Sequence, residues 1–226
     1  MAEPELPELW EWAEYYCPWC YIMTVRLHAI QQEYEGRVRL LIRPFPLEVL
    51  GGEAAPRDIL EQEWWLAALQ EPTAVFAPYT APTWPTTTLP AFEAAWCVAQ
   101  LDGAAVYDFD LRVRRAFFAE SRDISQREVL FAIAREAGLD LASFTRLFES
   151  GEAREHILRE GRLAREHYGV RGTPTLMLVD GTKLELPIAE PKMRRRKIVA
   201  VTPLTCHGAG CLNATSKLFQ QALHPA

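Results

Sequence analysis

The sequence predicts an α/β fold interrupted by a large α-helical insertion, and three observations carry that prediction. Residues 8–45 read as strand, helix, strand. The stretch that follows carries helical periodicity and a proline-rich segment but no strand signal. Sheet character then returns over 173–188, around Asp180-Gly181. Neither terminal β segment makes a full sheet alone, so residues 1–50 and 165–226 are assigned to one discontinuous domain and 51–164 to the insertion.

The elements follow in order. Residues 8–16, "ELWEWAEYY", are rich in aromatics and read as a strand running straight into "CPWC". Ile22, Val25, Ala29 and Ile30 then share one helical face, and Gly36 stops that helix after Tyr34. In "RVRLLIRPF", Val38, Leu40 and Ile42 alternate with Arg39 and Arg43, which predicts a second strand and a parallel βαβ unit. After the "GGEAAP" loop, "ILEQEWWLAAL" predicts a short helix. Prolines at 72, 78, 82, 85 and 90 then forbid helix and central strand alike, leaving an extended loop. Leu89, Phe92, Trp96 and Ala99 form a helical stripe, and Leu141, Phe144, Leu147 and Phe148 another, ended by Gly151. Ser125 to Glu128 has the spacing of a capping box before "VLFAIAREAGL". A polar helix over 152–168 ends at Gly169, and Asp180-Gly181 predicts a type I′ hairpin between "TPTLMLV" and "TKLELPI".

The 226 residues are 49% hydrophobic with a formal net charge of −6, so neither nucleic acid nor an anionic membrane is favoured as a partner. The basic run "KMRRRK" at 192–197 reads as a solvated edge strand or turn. No secretory signal opens the sequence and no apolar run reaches membrane-spanning length, so a cytoplasmic setting is expected. In a reducing compartment a C-x-x-C serves metal binding or redox chemistry more often than a permanent staple.

Cys17 falls where the first strand meets the first helix. Unpaired N–H groups and the positive dipole end there stabilise an anion, and the thiolate is the nucleophile of disulfide exchange. Cys20, one turn later, is placed to resolve a mixed disulfide formed on Cys17. Pro18 suits the first helical turn, and Trp19 belongs near the mouth of the site. The competing reading is zinc, with Cys206 and Cys211 supplying a second half-site. A C-x-x-C that opens an amphipathic helix straight after a strand, within a βαβ unit, is the thioredoxin-like arrangement and favours redox. No metal and no organic cofactor is assigned.

"CPWCY", followed far downstream by "YGVRGTPTLMLVDG", resembles the DsbA-like thioredoxin-fold oxidoreductases, and "FFAESRDISQREVLFAIAREAGLD" is similar to the insertion of their FrnE-like branch. The resemblance implies a thioredoxin-like fold and thiol–disulfide exchange with protein or peptide substrates, recycled by a thioredoxin or glutathione system. It implies that Cys17 is the nucleophile, Cys20 the resolving cysteine, and Thr173-Pro174 a cis-proline loop facing them. Glu11 matches the buried acid that handles the Cys20 proton, the alternative being an exposed strand carboxylate. "TTTLPAFEAAWCVAQ" departs from the family in lacking an expected Asn-Thr and His. Similar isomerases and glutathione-dependent transferases carry serine where this chain has Cys17; that chemistry stands as a second alternative.

Cys206 and Cys211 lie in a C-x4-C tail and are read as a redox-active or structural disulfide, with a metal site including His207 as the alternative. Cys97, beside Trp96, reads as a core residue, and His28, His156, His167 and His224 show no partner pattern. Phe76, Tyr79 and Trp84 either line a peptide groove over Cys17 or pack against the insertion.

Overall fold

A computed structural model of the chain describes residues 6–50, 56–189, 191–203, 206 and 209–224. Its central strand is β1 (Glu8–Ala13), followed by α1 (Pro18–Gln31) and β2 (Arg39–Pro44). β2 lies parallel to β1 with Trp10 opposite Leu41, and β3 (Thr175–Leu178) lies antiparallel on the other side with Trp10 opposite Met177. The resulting order, β2-β1-β3, buries β1 between two neighbours and under both faces. Alternation assigns the faces. Trp10 and Trp12 point one way, into a cluster with Phe45, Ala164, Val170 and Met177. Leu9 points the other way, towards Met23 and Leu27 of α1 and Phe219 of the C-terminal helix α8 (Ala209–Leu223).

The parallel βαβ unit expected from the periodicity is present, with the strand ending at Ala13 and the helix tightening into a 3-10 turn at Gln32–Tyr34 before Gly36. Between β2 and β3 come α2 (Arg57–Gln70), α3 (Leu89–Leu101), α4 (Val106–Phe118), α5 (Arg127–Glu136), α6 (Leu141–Glu149) and α7 (Glu152–Glu166). The fold is thioredoxin-like with a helical insertion. The "GGEAA" of the predicted loop lies outside the described residues. Residues 72–88 form the expected extended loop, in which Phe76, Tyr79 and Trp84 do not reach the Cys17 cleft. Phe76 and Trp84 pack edge-on around Trp64, Phe117 and Phe118, and Tyr79 tilts against Phe117, so the packing alternative holds. α7 closes on the chain after β2 through Gly161. A Cβ there would stand 2.9 Å from Val49 Cγ2, so only glycine permits the approach.

Several local expectations are corrected. α5 starts one residue later than a capping box at Ser125 requires; Ser125 instead donates its hydroxyl to Asp123 at 2.6 Å. On α3 the buried face is Phe92, Cys97 and Val98, while Ala99 is exposed, because the helix packs on both α4 and α7 and its stripe widens. The turn after β3 has positive φ only at Gly181 (90°), with Gly181 N–H bonding Leu178 O at 3.0 Å, so it is not type I′, which needs two such residues. "TKLELPI" does not pair as a strand; its ladder ends in a single bridge, Met177 to Lys183. The two-residue turn with both φ positive lies elsewhere, at Arg195 (49°) and Arg196 (65°), joining β4 (Pro191–Arg194) to β5 (Lys197–Val201). The basic run thus forms an exposed hairpin, as a solvated edge requires. Among the described residues no helix is long and apolar enough to cross a membrane.

Candidate active site

Cys17 is the N-cap of α1. Its backbone is extended (φ −79°, ψ 111°), and its Sγ accepts a hydrogen bond from Cys20 N–H at 3.2 Å. Pro18 follows at the first helical position, where a missing N–H costs nothing. The Cys17 thiol donates to the carbonyl of Thr173 at 3.3 Å, and the Thr173-Pro174 peptide is cis. Cys17 is half-buried and lines a cleft of about 570 Å³ shared with Trp19, Glu63, Arg171, Pro174 and Lys183. Cys20 is wholly buried and pushed well above the ordinary thiol range, first by burial and then by its bond with Cys17. Both are free thiols. One sulfur therefore meets the cleft while the other waits beneath it.

Beneath the dithiol lies a cluster of buried ionisable groups. Glu11 is fully buried on the α1 side of β1, so the exposed-carboxylate alternative is overturned. Its Oε2 accepts from Thr24 at a long 3.5 Å and its Oε1 has no hydrogen-bond partner among the described residues. Burial pushes its carboxyl up to about 8, with Arg114 opposing and Asp110 adding to the rise. Arg114 comes from α4, in the insertion. Its Nε pairs with Asp110 at 2.7 Å, its Nη1 donates to Glu14 O at 3.1 Å, and its guanidinium lies 4.8 Å from the Tyr15 ring. Burial works against this charge, yet Asp110 above all, with Cys20, Tyr15 and Glu11, holds the group above the ordinary arginine range.

Glu14 completes the floor. Its N–H points at Cys20 Sγ at 3.4 Å, and its carboxylate accepts from the N–H groups of Tyr15 (2.6 Å) and Leu47 (2.8 Å). Burial pushes it up to about 7, against its hydrogen bonds. Sequence reasoning did not single out Glu14, Asp110 or Arg114. The signals were present: an acid three residues before the first cysteine, and an Asp–Arg pair at i,i+4 in "DFDLRVRR". The structure brings Cys17, Cys20, Trp19, Thr173 and Pro174 together, with Glu11 behind them. It places Cys206 and Cys211 apart from them, bonded to each other at the start of α8, with Cys206 Sγ 3.6 Å from Pro187 O. His207 lies outside the described residues. Among the described residues no three His, Cys, Asp or Glu side chains converge as a metal site.

The family model described as "DSBA-like thioredoxin domain" matches residues 8–190. None of the curated proteins compared matches the sequence. Among solved structures, one provisionally described as a protein disulfide isomerase from Nitrosomonas europaea superposes with a TM-score of 0.73 at 22% identity, over 97% of this chain and 98% of that one. The cytosolic disulfide reductase DsbM from Pseudomonas aeruginosa gives 0.69 at 21% identity, over 97% and 100%. A 2-hydroxychromene-2-carboxylate isomerase gives 0.56 at 18% identity, over 76% and 86%. At such identities these likenesses speak for the fold alone. With the model spanning most of the chain from β1 past the cis-proline, the protein belongs to the DsbA-like thioredoxin family, whose members are thiol–disulfide oxidoreductases.

Proposed function

We propose that the chain exchanges disulfides with protein or peptide substrates in the cytoplasm, using Cys17 as nucleophile and Cys20 as resolving thiol. The observation that carries this reading is the Cys17 sulfur. It is held between Cys20 N–H and the Thr173 carbonyl at the wall of an open cleft, above a buried partner thiol. As a reductase, the Cys17 thiolate attacks one sulfur of a substrate disulfide, forming a mixed disulfide and expelling the other sulfur as a thiolate. Cys20 gives up its proton, with Glu11 as relay, and attacks Cys17 Sγ. The second substrate sulfur leaves, and a Cys17–Cys20 disulfide remains. Two electrons have passed to the substrate, and the reverse sequence oxidises a dithiol. Trp19 and the Thr173-Pro174 loop would flank the bound segment.

DsbM is described as cytosolic and was also solved with glutathione, which supports a cytoplasmic setting and recycling of the dithiol by glutathione or a thioredoxin. Cys206 and Cys211 are bonded to each other and supply no thiolates for a shared zinc site, so we assign them a clip on the tail.

The test is insulin-disulfide reduction with single cysteine variants. Cys17→Ser should abolish turnover, and Cys20→Ser should accumulate a mixed disulfide that mass spectrometry detects on Cys17. Turnover that survives Cys17→Ser would overturn the mechanism. A Cys20→Ala variant that isomerises a small aromatic substrate with glutathione would favour the isomerase reading instead.

A further inference from the structure

The β4–β5 hairpin is not part of the central sheet. It rests on α2, where Gln62 accepts from Ile198 N–H at 3.2 Å and donates to Arg196 O at 3.0 Å, and Arg196 Nε reaches Asp58 at 3.2 Å. A two-stranded ribbon is marginal by itself, and among the described residues β4 has no strand neighbour besides β5, which leaves an edge where an incoming chain can pair. This one also leaves apolar side chains in water: Val199 is 61% exposed and Val201 43%. Lys192, Arg194, Arg195, Arg196 and Lys197 put five cations into six residues of a chain whose net charge is −6. Among the described residues only Arg196 of the five has a carboxylate partner.

The ribbon is continuous with the cleft. Pro191, its first residue, lines the same cavity as Cys17, where Arg171 and Lys183 also stand without carboxylate partners among the described residues. The cavity also holds Glu63 and Glu14, the latter's carboxylate taken up by the N–H groups of Tyr15 and Leu47, so the cations of the hairpin together with Arg171 and Lys183 outnumber the carboxylates of the cleft.

We infer that this hairpin is a docking arm for an extended, acidic segment of a protein substrate, which it guides along Pro191 towards Cys17. The inference rests on the oxidoreductase reading above. Charge complementarity selects the occupant: a second copy would set five cations against five on this ribbon, and like charges opposed across an interface are costly. The exposed valines, the uncovered side of β4 and the run into a thiol cleft suit a polypeptide better than a nucleic-acid backbone.

The experiment uses the reduced full chain in single turnover with two synthetic peptide disulfides, one flanked by Asp and Glu and one by Lys. Each rate is divided by the rate of the same protein with neutral bis(2-hydroxyethyl) disulfide, so folding and dithiol reactivity cancel. The peptide is reduced to its dithiol as Cys17 and Cys20 become a disulfide, so no other reagent enters the balance. The acidic peptide should react about tenfold faster than the basic one at low salt, and the ratio should shrink with added salt. A Lys192→Glu, Arg194→Glu, Arg195→Glu, Lys197→Glu variant should invert the preference, and the corresponding Gln variant should erase it. Equal rates in the unaltered protein, or a preference that survives charge reversal, would overturn the docking arm. Failure of all three disulfides to react with the reduced chain, together with failure of the oxidised chain to oxidise the matching dithiols, would overturn the oxidoreductase reading instead. The docking arm would then be judged by fluorescence anisotropy with a cysteine-free acidic peptide, binding that charge reversal removes supporting it and no binding refuting it. Tighter binding of a single-stranded oligonucleotide than of the acidic peptide would also refute it.

Discussion

Glu11 shows how one residue's chemistry follows from strand periodicity. Alternation along β1 turns it towards α1, in the opposite direction from Trp10 and Trp12, and the central position leaves it no water. Its carboxyl holds its proton up to about pH 8 in the folded chain, against an ordinary value of 4.5. Below pH 4.5 folded and unfolded chains are both protonated there, and the group adds no pH dependence to stability. Between 4.5 and 8 the unfolded chain releases the proton while the folded chain keeps it, so stability falls as pH rises through that window. The loss is on the order of 5 kcal/mol above pH 8. Glu11→Gln stays neutral throughout, and its urea midpoint should fall less between pH 5 and pH 8 than that of the unaltered chain. Kinetics separate this burial effect from a proton relay. Glu11 must be ionised to take the Cys20 proton, so decay of a preformed mixed disulfide should quicken towards pH 8. Glu11→Gln should slow that decay by about 100-fold and flatten its rise with pH. An unchanged decay rate would reduce Glu11 to a buried structural acid.

At the scale of elements, the C-terminal tail shows burial outweighing local propensity. Gly210 and Cys211 lie inside α8, whose Leu218, Phe219 and Ala222 pack against α1. Glycine lowers local propensity, but burial of an apolar face outweighs it. The disulfide anchors the first turn of α8 beside Pro187, whose carbonyl also accepts Arg26 Nη1 from α1 at 2.8 Å. Closing so short a loop should stabilise the fold by about 2 kcal/mol. The Cys206→Ser, Cys211→Ser double variant should lose about that much in urea denaturation while keeping insulin reduction. Loss of turnover in a variant that is still folded would make the pair part of the redox path. β1, β2, β3, α1 and the cysteine pair were legible because periodicity and caps are local signals. α4 was not singled out, because its "VYDFDLRVRRAFF" has charges on the buried face: Asp110 and Arg114 satisfy each other there, which no periodicity of apolar residues reports. The same pair hid a component of the site. The missing strand over 182–188 has the opposite cause. Its alternation is strand-like, but its place beside β3 is held by one bridge, and the chain leaves to bond α2 through Ala189 and Gln70.

Across the whole molecule, the insertion and the cysteine-bearing domain share one core. Tyr15, Tyr16, Tyr21 and Ile22, which bracket the C-x-x-C, belong to the same buried cluster as Trp64, Phe117 and Phe144 of the insertion. Tyr21 stacks on Phe118 with ring centroids 5.1 Å apart, and Arg114 ties α4 to the turn that carries Cys17. A core continuous across the two parts predicts that they unfold together. Two native thiols report on this separately: Cys20 in α1 and Cys97 in α3 are both wholly buried. Alkylation of each, followed by peptide mass spectrometry along a urea series, should give one shared midpoint. Arg114→Met strands the buried Asp110 carboxylate, a loss of about 3–5 kcal/mol, which at slopes of about 2–3 kcal/mol per molar urea lowers the midpoint by about 1–2.5 M. Both cysteines should move by that same amount, although Cys97 lies on α3 and the ion pair on α4. If Cys97 became reactive at lower urea while Cys20 stayed protected, the insertion would be melting as a separate body. Its Arg114 would then be a detachable prop under the dithiol and not part of the structure that builds it.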